Sequence, residues 1–228
     1  MKLRLLTFDL DDTLWPVGPV IVRAERHMQA WLDTEIPALR ARFDREAMTT
    51  LRERLLLARP ELIHDLSEMR RAVIREAARQ CEHPDPDAIA EGAFAVFMDG
   101  RHDIEYFEDA LDTLEHLSRH YTLGALSNGN ASVERLGLDR YFAFHLNSEG
   151  VGRKKPDPLM FERALQLAGV GPDAAVHIGD HPDDDVRGAN AVGMATVWVQ
   201  RNEAPWSGDD APTWTIRELL ELRRLFPG

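Results

Sequence analysis

The 228-residue sequence contains a single cysteine, Cys81. One thiol excludes an intramolecular disulfide bond and any metal site built from several thiolates. Long hydrophobic runs are also missing. No stretch approaches the ~18 apolar residues of a membrane-spanning helix, and the apolar stretch 1–8 ends at Asp9, too early for a signal peptide. We therefore expect a soluble, cytoplasmic protein that does not act at a membrane.

Positive charge is scarce in this chain. It has 27 Lys and Arg residues against 39 Asp and Glu residues, which gives a formal net charge of −12. Such a surface repels phosphate backbones and anionic lipids, so nucleic acid and membranes are poor partners. If the substrate is itself an anion, its binding site must supply local positive charge.

Length and composition predict one large globular domain with a smaller insert. The chain exceeds the ~150 residues of an average domain but does not reach twice that length. Hydrophobic residues make up 44% of the sequence and charged residues 29%, a balance that permits a buried core.

The hydrophobic pattern changes along the chain. Residues 3–8 indicate a short buried strand, and further strands are predicted at 121–126, 143–146, 174–178 and 195–199. Helical spacing is found at 20–32, 44–58, 65–81, 87–98, 108–119, 132–136, 159–168, 184–191 and 216–226. This alternation predicts an α/β fold, a Rossmann-like doubly wound parallel sheet. The sheet is formed by 1–15 and 103–228, and the all-helical segment 16–102 is inserted into it.

Unusual polar residues follow the predicted strands. Asp9 and Asp11 follow the first strand, Ser127 ends the second, Lys155 comes after the third, and Asp180 follows the fourth. Taken alone, the Asp9 and Asp11 pair and Ser127 are compatible with ordinary turn chemistry, and Lys155 with a solvated lysine. Ligands of open parallel sheets bind outside the carboxyl ends of the strands, however. The joint pattern therefore predicts a single site.

Four motifs resemble those of the haloacid dehalogenase superfamily, in the same order along the chain. They are Phe8-Asp9-Leu10-Asp11-Asp12-Thr13-Leu14, then Leu126-Ser127-Asn128-Gly129, then Lys155-Pro156-Asp157-Pro158, and finally Gly179-Asp180 followed by Asp185. The resemblance implies a Rossmann-like sheet with a mobile cap. A helical segment inserted directly after the first motif, as 16–102 is here, corresponds to the first cap type of that superfamily.

The resemblance also implies a division of labour between two carboxylates. Asp9 would be the nucleophile that forms an aspartyl-phosphate, which water then hydrolyses. Asp11 would protonate the leaving oxygen and later activate the water. The hydroxyl of Ser127, together with Asn128 in the turn that follows and with Lys155, would hold the phosphoryl oxygens.

A divalent cation is expected from the charges of this site. Ionised Asp9, Asp180 and Asp185 carry three negative charges and Lys155 returns one, so a phosphate dianion would be repelled. One Mg²⁺, which prefers oxygen ligands, brings the protein part close to neutrality. The expected ligands are Asp9, Asp180 and the main-chain carbonyl of Asp11, with Asp185 outside the direct ligand set.

Asp11 also bears on the type of reaction. Expelling a halide needs no proton, and dehalogenases of this superfamily lack an acid at this position. Asp11 therefore favours hydrolysis of a phosphate monoester over cleavage of a carbon–halogen bond. Two alternatives stay open: a phosphotransferase or phosphomutase, and a non-catalytic phospho-acceptor module. The cap and the second acid argue against the phospho-acceptor, because a signalling phospho-aspartate should persist.

The substrate is less closely constrained by the sequence. Residues 8–25 are similar to bacterial phosphatases that act on flavin mononucleotide and on a phosphorylated ribityl-aminouracil. Trp15, Arg23 and His181 are candidates for lining the substrate site. Trp15 is also compatible with hinge packing and Arg23 with a salt bridge, and broad activity on small phosphate monoesters stays open.

Overall fold

The computed structural model describes residues 2–201, 206 and 210–228, and the chain divides into two compact units. The sheet unit combines Met1–Val17 with Glu105–Gly228, and the helical unit is Gly18–Ile104. Each boundary lies two residues beyond the one expected from the sequence. Among the described residues, no helix combines the length and the apolar character needed to cross a bilayer.

The helical unit is built around an apolar core. Its helices are α1 (Val17–Glu35), α2 (Pro37–Arg42), α3 (Arg45–Ala58), α4 (Leu66–Gln80) and α5 (Pro86–Arg101), with a 3₁₀ turn at Pro60–His64. In α1 the buried residues recur every fourth position, at Val20, Ala24, Met28 and Leu32, so one face of the helix packs inward. Aspartates cap α3, α4 and α5, each accepting a hydrogen bond from a main-chain N–H of the first turn.

The sheet unit contains six parallel strands in its described part. They are β1 (Leu5–Phe8), β2 (Thr122–Ser127), β3 (Phe144–Asn147), β4 (Ala175–Gly179), β5 (Ala195–Val199) and β6 (Trp214–Ile216). Their order is β3-β2-β1-β4-β5-β6, and every neighbouring pair is parallel. This is the strand order of a doubly wound Rossmann sheet. The predicted fold class is confirmed.

The central strands are short and almost entirely buried. All four residues of β1 and all five of β4 are buried, as expected for strands that are covered on both faces. The helices of this unit are α6 (Ala110–Ser118), α7 (Ser148–Val151), α8 (Leu159–Ala168), α9 (Gly188–Ala191) and α10 (Leu222–Leu225).

Three local predictions differ from the structure. The stretch 132–136 forms turns instead of a helix, and Gly137 follows at φ +66°. The predicted last helix over 216–226 begins only at Leu219, because Ile216 pairs with Val199 in the edge strand β6, which the sequence reading missed. The stretch 184–191 starts as a wide π turn at Pro182–Arg187, in which Asp185 points into the molecule.

Candidate active site

The polar residues predicted from the strand ends meet at one edge of the sheet. Strand β1 pairs with β2 on one side and with β4 on the other, all in parallel. Asp9, Ser127 and Asp180 therefore leave these three strands at the same edge, as ligand-binding residues of doubly wound sheets do.

Lys155 is the centre of this edge. Its side chain is only 1% exposed, and its Nζ donates hydrogen bonds to Asp9 Oδ1 at 2.6 Å, to Asp185 Oδ1 at 2.6 Å and to the Leu126 carbonyl at 2.8 Å. These three bonds use all of the hydrogens of the ammonium group. Although burial opposes its charge, the Asp185 and Asp9 carboxylates raise the pKa of Lys155 well above its ordinary value.

The carboxylates around Lys155 have different proton affinities. Burial, together with Asp185 and Asp180, raises the pKa of Asp9 against the opposing effect of Lys155. Burial, followed by the charge of Asp185, raises the pKa of Asp180 to about 7. Burial acts on Asp185 as well, but Lys155 and a hydrogen bond from His177 outweigh it and hold the pKa of Asp185 below its ordinary value. The single ammonium group of Lys155 therefore does not balance the negative charge of the three carboxylates around it.

The donor set fits a hard divalent cation. Carboxylate oxygens of Asp9, Asp180 and Asp185 lie within 4.8 Å of one another. Both Asp185 oxygens already accept hydrogen bonds, from Lys155 Nζ and from the main-chain N–H of His181. This leaves Asp9 and Asp180 as the carboxylates best placed to bind a metal directly. Oxygen ligands with unmet negative charge are the environment that Mg²⁺ prefers.

Thr13, the last polar residue of the first motif, connects two of these carboxylates. Its buried hydroxyl lies 3.1 Å from Asp180 Oδ1 and 3.5 Å from Asp9 Oδ2. A hydroxyl has one hydrogen to donate, and the shorter contact identifies Asp180 as its main acceptor. Thr13 thereby holds Asp180 beside the residue predicted to be the nucleophile.

Asp11 lies in a hairpin-like turn of its own motif. Asp12 adopts a left-handed conformation, with φ 57°, and its carboxylate accepts a hydrogen bond from the Val17 N–H. The turn brings Trp15 back to Asp11, and the indole Nε1–H donates to Asp11 Oδ1 at 2.9 Å. The Trp15 ring is fully buried and packs edge-on against Tyr106. Trp15 therefore packs within the turn and contacts the predicted acid.

The second motif supports Lys155 from the neighbouring strand. The Asn128 side chain accepts a hydrogen bond from the Lys155 N–H at 2.7 Å and donates to the Lys155 carbonyl at 3.0 Å and to Asp184 at 3.1 Å. Because its side-chain amide is already hydrogen-bonded, we expect Asn128 to contact a phosphate through its main chain. Ser127 is buried, and its Oγ accepts the Gly129 N–H at 2.9 Å.

Gly179 leaves room for Asp185. A Cβ atom at position 179 would lie 2.2 Å from the carboxyl carbon of Asp185, so a side chain here would displace the carboxylate. This close approach explains the glycine that precedes Asp180.

His181 is exposed, and its imidazole Nδ1 accepts the Asp184 N–H at 3.1 Å.

Arg23 is engaged within the helical unit. Its guanidinium donates to the Asp103 carbonyl, and its Nε lies 3.5 Å from the Asp103 carboxylate. This is the salt-bridge alternative of the sequence analysis.

The structure thus brings together Asp9, Lys155, Asp180 and Asp185. It also adds residues to which the sequence analysis assigned no role, namely Thr7, Thr13, His177, Gly179 and Asp184. Thr7 and His177 are polar residues in the middle of buried strands, a signal that was available in the sequence. The role of Asp184 depends on its contact with distant Asn128, for which the sequence carries no local signal.

The chain is similar to known proteins along most of its length. Residues 3–193 match the family model of haloacid dehalogenase-like hydrolases. The chain is 36% identical to 5-amino-6-(5-phospho-D-ribitylamino)uracil phosphatase YigB of Escherichia coli, covering 98% of this chain and 94% of that protein. It is 30% identical to the glyceraldehyde 3-phosphate phosphatase of Methanopyrus kandleri, covering 97% of each.

A solved structure extends this similarity to the whole fold. The crystal structure of a 2-haloacid dehalogenase from Pseudomonas syringae pv. tomato superposes with a TM-score of 0.95 at 40% identity, covering 99% of this chain and 98% of that one. The motif order, the strand order and these matches lead to one conclusion: the chain belongs to the haloacid dehalogenase-like hydrolases.

Proposed function

We propose that this protein is a Mg²⁺-dependent phosphatase that hydrolyses small organic phosphate monoesters through an aspartyl-phosphate on Asp9. Its full-length curated relatives mark it as a phosphoric monoester hydrolase. The observation that carries the mechanism is the buried contact between Asp9 and Lys155, with a second carboxylate, Asp11, two residues further along the motif.

Asp9 is suited to act as the nucleophile. Lys155 donates to Oδ1 and fixes the orientation of the carboxylate, while Oδ2 lies 3.5 Å from the Thr13 hydroxyl. In the first step a carboxylate oxygen of Asp9 bonds to phosphorus as the ester P–O bond breaks. Lys155 is protonated when Asp9 attacks, because the Asp185 and Asp9 carboxylates raise its pKa against the opposing effect of burial.

Asp11 is the proposed acid and base. It gives a proton to the oxygen of the departing alcohol in the first step. In the second step it takes a proton from the water that attacks the aspartyl-phosphate, which releases inorganic phosphate and regenerates Asp9. Trp15 holds the carboxylate of Asp11 in place between these steps.

The metal would be held by Asp9, Asp180 and the main-chain carbonyl of Asp11. When bound, Mg²⁺ would neutralise the phosphoryl oxygens and allow a dianion to approach the acidic edge. Asp185 would stay outside the ligand set, because its oxygens hold Lys155 and the His181 N–H. The Ser127 hydroxyl and the main chain of the following turn would bind the phosphoryl oxygens.

We further propose that residues 16–102 form the cap domain and that 1–15 and 103–228 form the catalytic core. Asp9, Lys155, Asp180 and Asp185 all belong to the sheet unit. The substrate proposed first is flavin mononucleotide or a ribityl-aminouracil phosphate. The segment 8–25 and the similarity to the Escherichia coli phosphatase support this choice.

Dehalogenation is the second candidate, because the Pseudomonas syringae protein that superposes so closely is named a 2-haloacid dehalogenase. Asp11 argues against it, since a halide leaves without a proton. The phosphatase relatives, matched over nearly their full length, point the same way.

A substrate panel scored by kcat/KM tests the proposal. It contains flavin mononucleotide, the ribityl-aminouracil phosphate, glyceraldehyde 3-phosphate and p-nitrophenyl phosphate, with 2-chloropropionate as the dehalogenation arm. We expect phosphate release that stops with EDTA and returns with Mg²⁺. Halide release without phosphate release would overturn the proposal in favour of the second candidate.

The matched control is Asp9→Asn. It removes the nucleophilic oxygen but keeps the shape of the side chain, so turnover should be lost for every phosphate in the panel while the fold stays intact. Appreciable residual turnover with a normal unfolding transition would remove Asp9 from its proposed role. If phosphate passes to an added alcohol faster than to water, the protein is a phosphotransferase instead.

A further inference from the structure

His177 is a buried titratable residue that the proposed mechanism does not use. It lies in the middle of β4 and is 0% exposed. Its Nδ1 lies 2.8 Å from Thr7 Oγ1 and its Nε2 lies 3.0 Å from Asp185 Oδ1. Both ring nitrogens therefore have a hydrogen-bonding partner, which is required of a buried imidazole but does not by itself indicate a role.

The hydrogen bonds define the tautomer of His177. Asp185 is ionised, because Lys155 and His177 hold its pKa low, so its oxygen can only accept. Nε2 must then carry a hydrogen. Burial lowers the pKa of His177 and keeps the ring neutral, which leaves Nδ1 as an acceptor for the Thr7 hydroxyl. Asp185 thus selects the tautomer, and the Thr7 hydroxyl donates to the ring nitrogen that remains.

The oxygen that His177 contacts is the one that holds Lys155. Asp185 Oδ1 accepts from both His177 Nε2 and Lys155 Nζ, and Lys155 in turn donates to Asp9. The hydrogen bonds thus run from Thr7 through these residues to the proposed nucleophile. Because every member is buried or nearly so, a shift at one end is not absorbed by water.

The surroundings of His177 leave the ring little freedom. Its strand neighbours in register are Thr7 on β1 and Thr196 on β5. The ring edge packs against Phe161, with the centroids 5.1 Å apart. The imidazole is therefore fixed by packing as well as by hydrogen bonds.

We propose that His177, oriented by Thr7, is a positioning residue: its Nε2–H fixes the Asp185 carboxylate and, through it, places Lys155 against Asp9. The inference rests on the proposed phosphatase function, in which Lys155 orients the nucleophile. It assigns no contact between His177 and the substrate.

Two substitutions at one position separate hydrogen bonding from packing. His177→Leu removes the donor to Asp185, whereas His177→Gln keeps an N–H at a similar distance along the side chain. Losses of about 10- to 100-fold are typical when such supporting hydrogen bonds are removed. We expect that loss in kcat for His177→Leu on p-nitrophenyl phosphate, with KM changed less than kcat, and recovery of most of it in His177→Gln.

Thr196→Val provides a matched control. Thr196 is the neighbour of His177 on β5 and is equally buried, but its hydroxyl bonds to Asn190 and to the Thr213 N–H, away from Lys155. It should lose stability without a comparable loss in kcat. If Thr196→Val and His177→Leu lose kcat equally, or if His177→Gln is no better than His177→Leu, the positioning role is wrong.

The tautomer provides a readout that needs no activity. Long-range ¹H–¹⁵N correlation spectra of the whole protein should show His177 protonated at Nε2 and unprotonated at Nδ1. In Thr7→Val, where Nδ1 loses its donor, the Nδ1 resonance should shift while Nε2 keeps its hydrogen. A wild-type Nδ1–H tautomer overturns the inference even if the protein is an active phosphatase. If the spectrum is as expected but the protein has no phosphatase activity, the chain of hydrogen bonds is supported. The proposed function is then wrong, and the positioning role of His177 is wrong with it.

Discussion

The two carboxylates of the first motif are supported in different ways. Asp9 is held by Lys155, a residue 146 positions away in the sequence, within a buried network that also includes Asp185. Asp11 is half-buried, and Trp15, only four residues further along, donates to its carboxylate. One carboxylate is positioned by the tertiary fold and the other has a donor from its own turn.

This difference matches the two proposed roles. A nucleophile must be aligned with the phosphorus atom, and a rigid network of charged hydrogen bonds provides that alignment. An acid that must also act as a base exchanges protons with the leaving group and with water, so it belongs at the edge of the network. Substitutions around Asp9 and substitutions around Asp11 should therefore differ in how much turnover and how much stability they remove.

Lys155→Met should have the largest effect. It leaves Asp9 and Asp185 buried without their counter-charge, and breaking a buried ion pair in this way typically costs about 3–5 kcal/mol of unfolding free energy. We expect loss of measurable turnover together with a large drop in the midpoint of urea unfolding.

The double variant Lys155→Met/Asp185→Asn is the matched control for that loss. Removing one of the uncompensated charges should restore part of the stability but none of the activity. A double variant no more stable than Lys155→Met would show that the charges around Lys155 do not set the stability of this edge.

Asp11→Asn should reduce turnover without a comparable cost in stability. General acid–base catalysis typically contributes about 10²- to 10⁴-fold, and we expect a loss in this range for alkyl phosphates. The loss should be much smaller in the first step for p-nitrophenyl phosphate, whose leaving group needs little protonation. Equal losses of single-turnover rate on both substrates would contradict the acid role.

Trp15→Phe should reduce turnover less than Asp11→Asn does. It removes the indole N–H but keeps an aromatic ring in the turn. One hydrogen bond to the Asp11 carboxylate is lost, so Asp11 is less well oriented, and we expect the rate to fall by about tenfold. The loss should be greater for alkyl than for aryl phosphates. Tyr106→Phe keeps the ring contact with Trp15 and removes only the hydroxyl bonded to the Leu136 carbonyl, so its rates should stay near those of the wild type.

The smallest effect should be the pH dependence of metal binding. Burial and the charge of Asp185 raise the pKa of Asp180 to about 7, so below that pH Mg²⁺ must displace a proton from the carboxyl group. Affinity measured by calorimetry should rise between pH 5.5 and 7 and change less above pH 7. Asp180→Asn should bind more weakly and show a smaller slope, because Asp9, another proposed ligand with a raised pKa, still titrates. A pH-independent affinity in the wild type would argue against Asp180 as a ligand.

For the stability of the metal-free protein, the same raised pKa acts in the opposite direction. A carboxyl group whose folded pKa is raised favours the folded state only while it is protonated, so the contribution of Asp180 is lost as the pH rises from about 4 to 7. Mg²⁺ should therefore stabilise the protein more at pH 7.5 than at pH 5.5, as measured by the shift in melting temperature.

Much of the fold was predictable because its determinants are local. Short apolar runs predict five of the strands within a few residues of their observed bounds, namely β1, β2, β3, β4 and β5. The edge strand β6 was missed because three residues, two of them exposed, carry too little pattern. Its last residue, Ile216, continues the apolar spacing of the segment that follows, and so was assigned to a helix.

The candidate site divides along the same line. The four motifs were visible because each lies within a short stretch of sequence that follows a predicted strand. His177 carried a weak local signal, a histidine within a buried strand, but nothing in the sequence says that its ring faces Asp185. The sequence also did not show that the Asn128 side chain binds the main chain of Lys155, a contact between segments 27 residues apart. The contact of Asn128 with the phosphate stays a prediction.

By itself, the sequence determined the strand–helix order, the helical insertion and the residue types at the strand ends, since hydrophobic periodicity and short motifs act over a few residues. Only the tertiary structure decided which carboxylate holds the lysine, which oxygens remain for a metal, and how far each proton affinity shifts. Those properties depend on burial and on distances of a few ångströms between groups that the chain brings together only when it folds.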